Sequence, residues 1–235
     1  MLKALLLFAL LASSGAQAQD TLAVVATSPE LGSLVKVVGG DRVTVTVPGP
    51  TEHRVALRGA ALLVRRGLGL DPWLDAAKLP RRLAVANASE GVRIVRGNRY
   101  YWLDPHNAQP ITASILAALT KLSPADEARF QANRDAFLSL LGEKLFQWER
   151  KLAPLRGAKV VADHREWAYF AERFGLRLVS VTEPGVRLVI GDPRSDPARL
   201  RGLEEKTGAR VVVLLSSGDD YLALFDENVR RLVER

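Results

Sequence analysis

The sequence has no cysteine among its 235 residues and only three histidines. The absence of cysteine excludes a disulfide scaffold, a thiolate zinc site, a cysteine nucleophile and an anchor on a lipidated N-terminal cysteine. Any transition-metal site must therefore use imidazole and carboxylate groups, with few imidazoles. After the N-terminal segment, no run is apolar over the roughly 20 residues that a membrane-spanning helix needs.

The composition is that of a globular chain, with 48% hydrophobic and 25% charged residues. It argues against a disordered or collagen-like protein. The net charge of +7 raises the question of binding to nucleic acid or to an anionic surface. The basic residues are scattered, however, and no basic motif interleaved with aromatic residues occurs. We therefore expect an arginine-rich surface and no nucleic-acid partner.

Residues 1–18 are typical of a secretory signal peptide. Lys3 is followed by the apolar run ALLLFALLA, by a Ser-Ser-Gly break and by the small-x-small sequence Ala16-Gln17-Ala18. The apolar run is too short to span a bilayer, which disfavours the alternative of a membrane anchor. We expect cleavage after Ala18.

Runs typical of strands alternate with runs typical of helices on both sides of one long helical segment. That segment begins at Ser123-Pro124, an N-cap followed by proline, and keeps helical spacing to about Leu152. Its length would be roughly 40 Å. The alternation predicts an α/β fold of two lobes with mostly parallel sheets, joined by this helix. The predicted divisions are a signal peptide at 1–18, an N-terminal lobe at 19–122, the linking helix at 123–155 and a C-terminal lobe at 156–235.

Nine segments have the apolar or alternating pattern of strands. They are Thr21–Thr27, Val43–Val47, Ala61–Val64, Leu83–Ala86, Val92–Val95, Val160–Ala162, Leu176–Val181, Val186–Ile190 and Ala209–Leu215. Only four residues separate Leu176–Val181 from Val186–Ile190, whereas a parallel crossover takes a dozen or more. These two segments therefore pair in an unusual way, or one of them is not a strand.

Potential metal ligands come just after several predicted strands: His53, His164 and the pair Asp219 and Asp220. In parallel α/β folds, ligands bind at the carboxyl ends of strands, in the crevice between lobes. Imidazole and carboxylate groups suit zinc, manganese or iron. Each residue also has a structural interpretation, as a surface residue or helix cap, and Tyr100 could belong to the core.

Six segments carry a family pattern in order along the chain. VVATSPELGSLVKVVGGDRVTVTVPGP is similar to a first strand, helix and second strand, and GLGLDPWLD to a recurring segment. TEHRVAL, YYWLDPHNA and VVADHREWAYFAERFGLRLV are similar to segments around three metal-binding histidines, and ARVVVLLSSGDDYLALFDENVRRL to a segment with an aspartate ligand. Together they resemble the periplasmic zinc/manganese-binding proteins of ABC transporters, the ZnuA/TroA-like family.

The resemblance implies a periplasmic binding protein of the metal-receptor type rather than an enzyme. Such a protein captures a divalent metal ion and delivers it to an ABC transporter permease in the inner membrane, and we expect a monomer. The resemblance places metal ligands at His53, Tyr100, His164 and Asp219, with Glu52 beside them as in the zinc-specific branch. Since manganese binders often carry glutamate at the position of His164, the resemblance favours zinc.

Tyr100 departs from the family because it stands where the second histidine is expected. A neutral phenol is a poor zinc ligand, and a phenolate suits ferric iron, so manganese and iron remain alternatives to zinc. His53, His164 and Asp219 would then hold zinc, completed by Glu52 or water. The family's histidine-rich acidic loop is also missing.

These departures support a second hypothesis, a degenerate family member without tight metal binding that acts as an interaction partner in the cell envelope. A third, an exported hydrolase, has little support because no G-x-S-x-G or H-E-x-x-H motif occurs.

Overall fold

A computed structural model describes residues 21–49, 51–74, 77–95 and 97–234 of the chain. The expected signal peptide, residues 1–18, lies outside these described residues. The chain forms two four-stranded sheets, and every pairing between the described strands is parallel. The predicted α/β fold of two parallel-sheet lobes joined by a long helix is confirmed. None of the helices in the described ranges has the length and apolar character needed to cross a membrane.

The N-terminal lobe is built on a sheet of strand order β2-β1-β3-β4. Its strands are β1 (Leu22–Ala26), β2 (Val43–Thr46), β3 (Leu62–Arg65) and β4 (Ala84–Asn87). Its helices are α1 (Pro29–Gly39), α2 (His53–Arg58) and α3 (Ala108–Leu122). Because all four strands run the same way, their carboxyl ends meet at one edge, where the segments after β1, β2 and β3 lie together.

The C-terminal lobe repeats this plan with the order β6-β5-β7-β8. Its strands are β5 (Lys159–Ala162), β6 (Arg177–Leu178), β7 (Val186–Gly191) and β8 (Arg210–Val213). Its helices are α5 (Ala168–Phe174), α6 (Pro197–Thr207) and α7 (Tyr221–Val233). The described residues also contain seven 3-10 turns, at Gly40–Arg42, Pro72–Leu74, Tyr101–Leu103, Pro105–Asn107, Pro124–Asp126, Ala153–Leu155 and Arg165–Trp167.

The long helix α4 (Glu127–Leu152) packs on both lobes. Its buried side chains recur at intervals of seven and four residues, so they form one stripe that faces α1 and α3 in one lobe and α7 in the other. Trp148 is fully buried, and its indole N–H donates to Asp226 of α7 at 2.9 Å. One hydrophobic cluster therefore includes residues of both lobes. The predicted domain limits themselves remain a prediction.

Of the predicted strands, one does not form and another is much shorter than predicted. Val92–Val95 forms no strand, because the backbone N–H of Val95 donates to the Tyr169 hydroxyl at 3.0 Å instead of to a neighbouring strand. Of Leu176–Val181, only Arg177–Leu178 pairs, as the edge strand β6.

The short β6 also explains the short link to β7. Both strands pair with β5, on opposite sides of it. The chain passes the amino end of β5, where the Lys159 ammonium donates to the carbonyl of Pro184 at 2.8 Å. Because β6 has only two residues, the chain travels a short distance from the end of β6 back to the start of β7, and no crossover helix is needed.

Candidate metal centre

His53 is the first residue of α2, and its imidazole is stacked on the Trp73 indole. The ring centroids are 3.9 Å apart and the planes differ by 9°. The Nδ1 atom of His53 is buried and has no hydrogen-bond partner among the described residues. The ring is thus held in a fixed plane, and no described residue uses the hydrogen-bonding capacity of its Nδ1 atom.

The loop after β3 positions Trp73. The buried Asp71 carboxylate accepts a hydrogen bond from the backbone N–H of Gly67 at 2.8 Å, which closes the loop. Gly67 has a φ of 73°, and a Cβ there would lie 2.1 Å from the Asn87 side-chain oxygen. Glycine is therefore required at this turn. The segment GLGLDPWLD folds so that it presents the indole of Trp73 to His53.

Glu52 is exposed and precedes α2. Its carboxylate accepts a hydrogen bond from the backbone N–H of Gly49 at 3.2 Å, which closes the turn before the helix. The other carboxylate oxygen is not used by this bond.

Tyr100 and His164 line one cavity of about 270 Å³ together with Arg165, Glu166 and Arg194. Tyr100 comes from the N-terminal lobe, in the segment that follows β4, and the other four residues follow strands β5 and β7. The cavity therefore lies between the lobes, at the carboxyl edge of the C-terminal sheet, where ligands bind in open parallel sheets.

His164 lies one residue beyond Asp163, which directly follows β5, and 44% of the His164 side chain is exposed. Its Nε2 atom lies 3.3 Å from the carboxylate of Asp163, whose side chain is buried and also contacts Arg199. Imidazole ligands of metals commonly bond a carboxylate through one nitrogen and the metal through the other. The arrangement leaves Nδ1 of His164 for a ligand.

Glu166 and Asp192 form a buried carboxyl pair at the edge of the cavity, with side chains 2% and 0% exposed. Burial raises the pKa of Glu166, and its hydrogen bond to Asp192 adds to this effect. Burial also opposes ionisation of Asp192, but hydrogen bonds from Arg194 and Glu166 outweigh it and lower the Asp192 pKa. The pair therefore holds less than two full negative charges near neutral pH.

Asp219 is exposed in the loop between β8 and α7. Neighbours of Asp219 in this loop bind the N-terminal lobe: the Ser217 hydroxyl donates to Glu30 at 2.7 Å, and the Trp102 indole N–H donates to the Ser216 carbonyl at 2.8 Å. The loop that carries Asp219 is therefore fixed against the other lobe. Asp220 instead caps α7 by accepting the N–H of Ala223, so its structural interpretation holds.

Within the described ranges, no three histidine, aspartate or glutamate side chains lie close enough together to hold a metal ion. Of the five candidate ligands, only Tyr100 and His164 share the cavity described above, while His53, Glu52 and Asp219 do not line it. The structure thus presents the candidates at the ends of strands in both lobes without assembling them into one shell.

A family model described as ZnuA, zinc-uptake complex component A periplasmic, matches residues 24–186, which is more than half of the chain. The chain belongs to the ZnuA family. The resemblance carried by the sequence motifs is thereby confirmed. The family is that of an uptake-complex component, in agreement with the expectation of a binding protein rather than an enzyme.

The ZnuA family likeness extends to individual proteins and to the fold. The high-affinity zinc uptake system protein ZnuA of Brucella abortus (strain 2308) is 24% identical over 164 residues, which are 57% of this chain and 47% of that protein. A crystal structure of ZnuA has a TM-score of 0.81 at 21% identity and covers 91% of this chain and 98% of that one. A manganese-bound periplasmic metal-binding protein from Candidatus Liberibacter asiaticus has a TM-score of 0.79 at 16% identity, with the same coverage. This chain spans about half the length of the curated relatives that it matches.

Sequence reasoning missed three polar residues at the cavity that Tyr100 and His164 line: Glu166, Asp192 and Arg194. The last two follow β7 in the same way that His164 follows β5. The rule that ligands bind at the carboxyl ends of parallel strands therefore applied to Asp192 and Arg194 as well. Both residues lie in the segment GDPRSD, which follows the predicted strand Val186–Ile190.

Proposed function

We propose that this ZnuA-family chain is a periplasmic, monomeric binding protein that captures a divalent metal ion and delivers it to an ABC transporter permease in the inner membrane. Zinc is the favoured ion, with manganese and iron as alternatives. The proposed ligands are His53, His164 and Asp219, with Tyr100 and Glu52 as further candidates. These residues lie in the segments that follow strands β2, β4, β5 and β8.

The observation that carries this proposal is the imidazole of His53. A buried ring nitrogen without a hydrogen bond costs free energy, of the order of 1–3 kcal/mol for a polar group. The Trp73 stack nevertheless holds the ring in place. A metal ion that binds this nitrogen would remove that cost. Neutral imidazole is the ligating form, so metal binding should release protons and weaken at low pH.

Metal content tests the proposal. We expect about one zinc per chain in protein purified without chelator, and submicromolar zinc binding in titrations of the metal-free form. His53→Ala and His164→Ala should each lower the zinc affinity at least tenfold. His106→Ala is the matched control, because His106 is exposed in the 3-10 turn Pro105–Asn107 and should leave the affinity unchanged.

A second candidate function is that of an envelope interaction partner without tight metal binding. It is favoured by the scattered arrangement of candidate ligands in the described residues. Protein that takes up neither zinc, manganese nor iron would support this candidate and contradict metal capture. Iron in place of zinc would instead identify Tyr100 as a selected ligand.

A further inference from the structure

Arg194 bridges the two buried carboxyl groups at the edge of the cavity. Its Nη2 atom lies 2.9 Å from both oxygens of Glu166, and its Nε lies 3.1 Å from Asp192 Oδ2, which Nη2 also contacts. The backbone N–H of Arg194 donates to the other Asp192 oxygen at 2.6 Å. One guanidinium therefore neutralises a carboxyl pair that water scarcely reaches.

The burial of these three side chains is unequal. Glu166 and Asp192 are 2% and 0% exposed, whereas 63% of the Arg194 side chain faces solvent. Buried carboxylates need a cation, because removal of one partner from a buried ion pair leaves a charge without compensation. The carboxyl pair is thus fixed in the fold, while its cation enters from the solvent side and can leave without unpacking the core.

The same cavity is lined by His164 and Tyr100, two of the proposed metal ligands. A divalent ion bound to His164 would be within the same small space as the guanidinium. The ion and the guanidinium would repel each other, and both would be attracted to the Glu166 carboxylate.

We propose that Arg194 is a tethered counter-ion of the cavity, which a divalent metal ion must displace from Glu166 in order to bind beside His164 and Tyr100. This inference rests on the proposed function. In this arrangement Arg194 keeps the buried carboxyl pair compensated in the metal-free protein. Displacement of the guanidinium opposes metal binding and lowers the affinity.

The test is a zinc titration of the full chain in its metal-free form at pH 7.5, with the zinc ion alone as the probe. Arg194→Gln should tighten zinc binding at least fivefold, because the competing cation is gone. Arg194→Lys should give a smaller gain, since a lysine keeps the charge but cannot bridge two carboxyl groups. Arg187→Gln is the matched control, because it removes one exposed positive charge from β7, the strand that Asp192 and Arg194 follow, and should change the affinity less than twofold.

A second background separates displacement from simple charge repulsion. In Glu166→Gln protein, Arg194→Gln should change the zinc affinity less than twofold, because the carboxylate for which the two cations compete is absent. An equal gain in both backgrounds would overturn the proposal in favour of repulsion alone. An unchanged or weaker affinity of Arg194→Gln would overturn it outright. If Arg194→Gln does not fold, Arg194→Lys decides: a gain in zinc affinity over wild type that disappears in the Glu166→Gln background supports the proposal, and no gain overturns it.

The outcomes also separate this inference from the proposed function. Wild-type protein that binds zinc, with no gain in the Arg194 variants, contradicts the inference and leaves metal capture standing. Zinc binding that appears only after Arg194→Gln supports the inference and contradicts metal capture by the natural chain. No binding in any variant contradicts both.

Discussion

The stack of Trp73 on His53 leads us to predict how far the zinc affinity falls when Trp73 is removed. The two rings are 3.9 Å apart and nearly parallel, and Trp73 also packs on the small apolar cluster that contains Leu57 and Leu74. Aromatic pairs of this kind are worth about 0.5–1.5 kcal/mol beyond their buried area. If the stack serves to hold His53 in its ligating orientation, its loss should cost that amount in binding. Trp73→Ala should therefore raise the zinc Kd roughly two- to tenfold, since about 1.4 kcal/mol corresponds to a factor of ten.

Isothermal titration of metal-free protein with zinc measures this effect, with circular dichroism as a check that the variant is folded. Trp73→Phe keeps a stacked ring and should change Kd less than twofold. In a His53→Ala background, Trp73→Ala should have no further effect, because the ring that it orients is absent. An unchanged Kd in folded Trp73→Ala, or an equal loss in the His53→Ala background, would refute a positioning role for the stack.

Three further predictions concern the core, the pH dependence and the site. Trp148→Phe should lower the free energy of unfolding by about 1–3 kcal/mol in urea titrations, because the hydrogen bond from the buried indole to the Asp226 carboxylate is lost; an unchanged midpoint would contradict this. The pKa of Asp126 is lowered by a hydrogen bond from Ser123 and, to a smaller extent, by Arg42. The ionised carboxylate therefore stabilises the fold above its unfolded pKa of about 3.9, and this contribution is lost as the pH falls through the lower pKa of the folded state. Wild type should therefore exceed Asp126→Asn in stability at pH 6, and the difference should shrink toward pH 2.5; a constant difference would count against the assignment. Tyr100→His should tighten zinc binding in calorimetric titrations if Tyr100 occupies a ligand position, and unchanged affinity would remove Tyr100 from the site.

The elements with local signals could be predicted from the sequence. Serine and proline at the helix start and glycine after the helix end all lie within a few residues of α1 (Pro29–Gly39), and they are the local signals from which such a helix can be predicted. The same holds for α6, where Pro197 opens the helix and Gly208 closes it with a φ of 65°. Such signals act through backbone geometry next to the residue that carries them, so they need no knowledge of the rest of the fold.

Val92–Val95 shows where local patterns fail. An apolar β-branched run suits a strand, yet strand formation needs a neighbour with free backbone groups. Here the neighbour is the side chain of Tyr169, some 74 residues away, and its hydroxyl accepts the Val95 N–H that a strand would have used. The outcome was decided by a tertiary contact that no window of local sequence contains.

The polar cluster at Arg194 depends on strand order in the same way. From the sequence, the predicted strand Leu176–Val181 separates the segment of Glu166 from that of Arg194, and consecutive strands are often neighbours in a sheet. In the structure β6 pairs on the far side of β5, so that β7 lies directly beside β5. The ends of β5 and β7 therefore meet, and Glu166 comes within 2.9 Å of Arg194. Residue types alone could mark each of these positions as a strand end, but the ion pair depends on the length of β6. Because only two residues of β6 pair, the chain can return past the amino end of β5 and place β7 on the opposite side of β5.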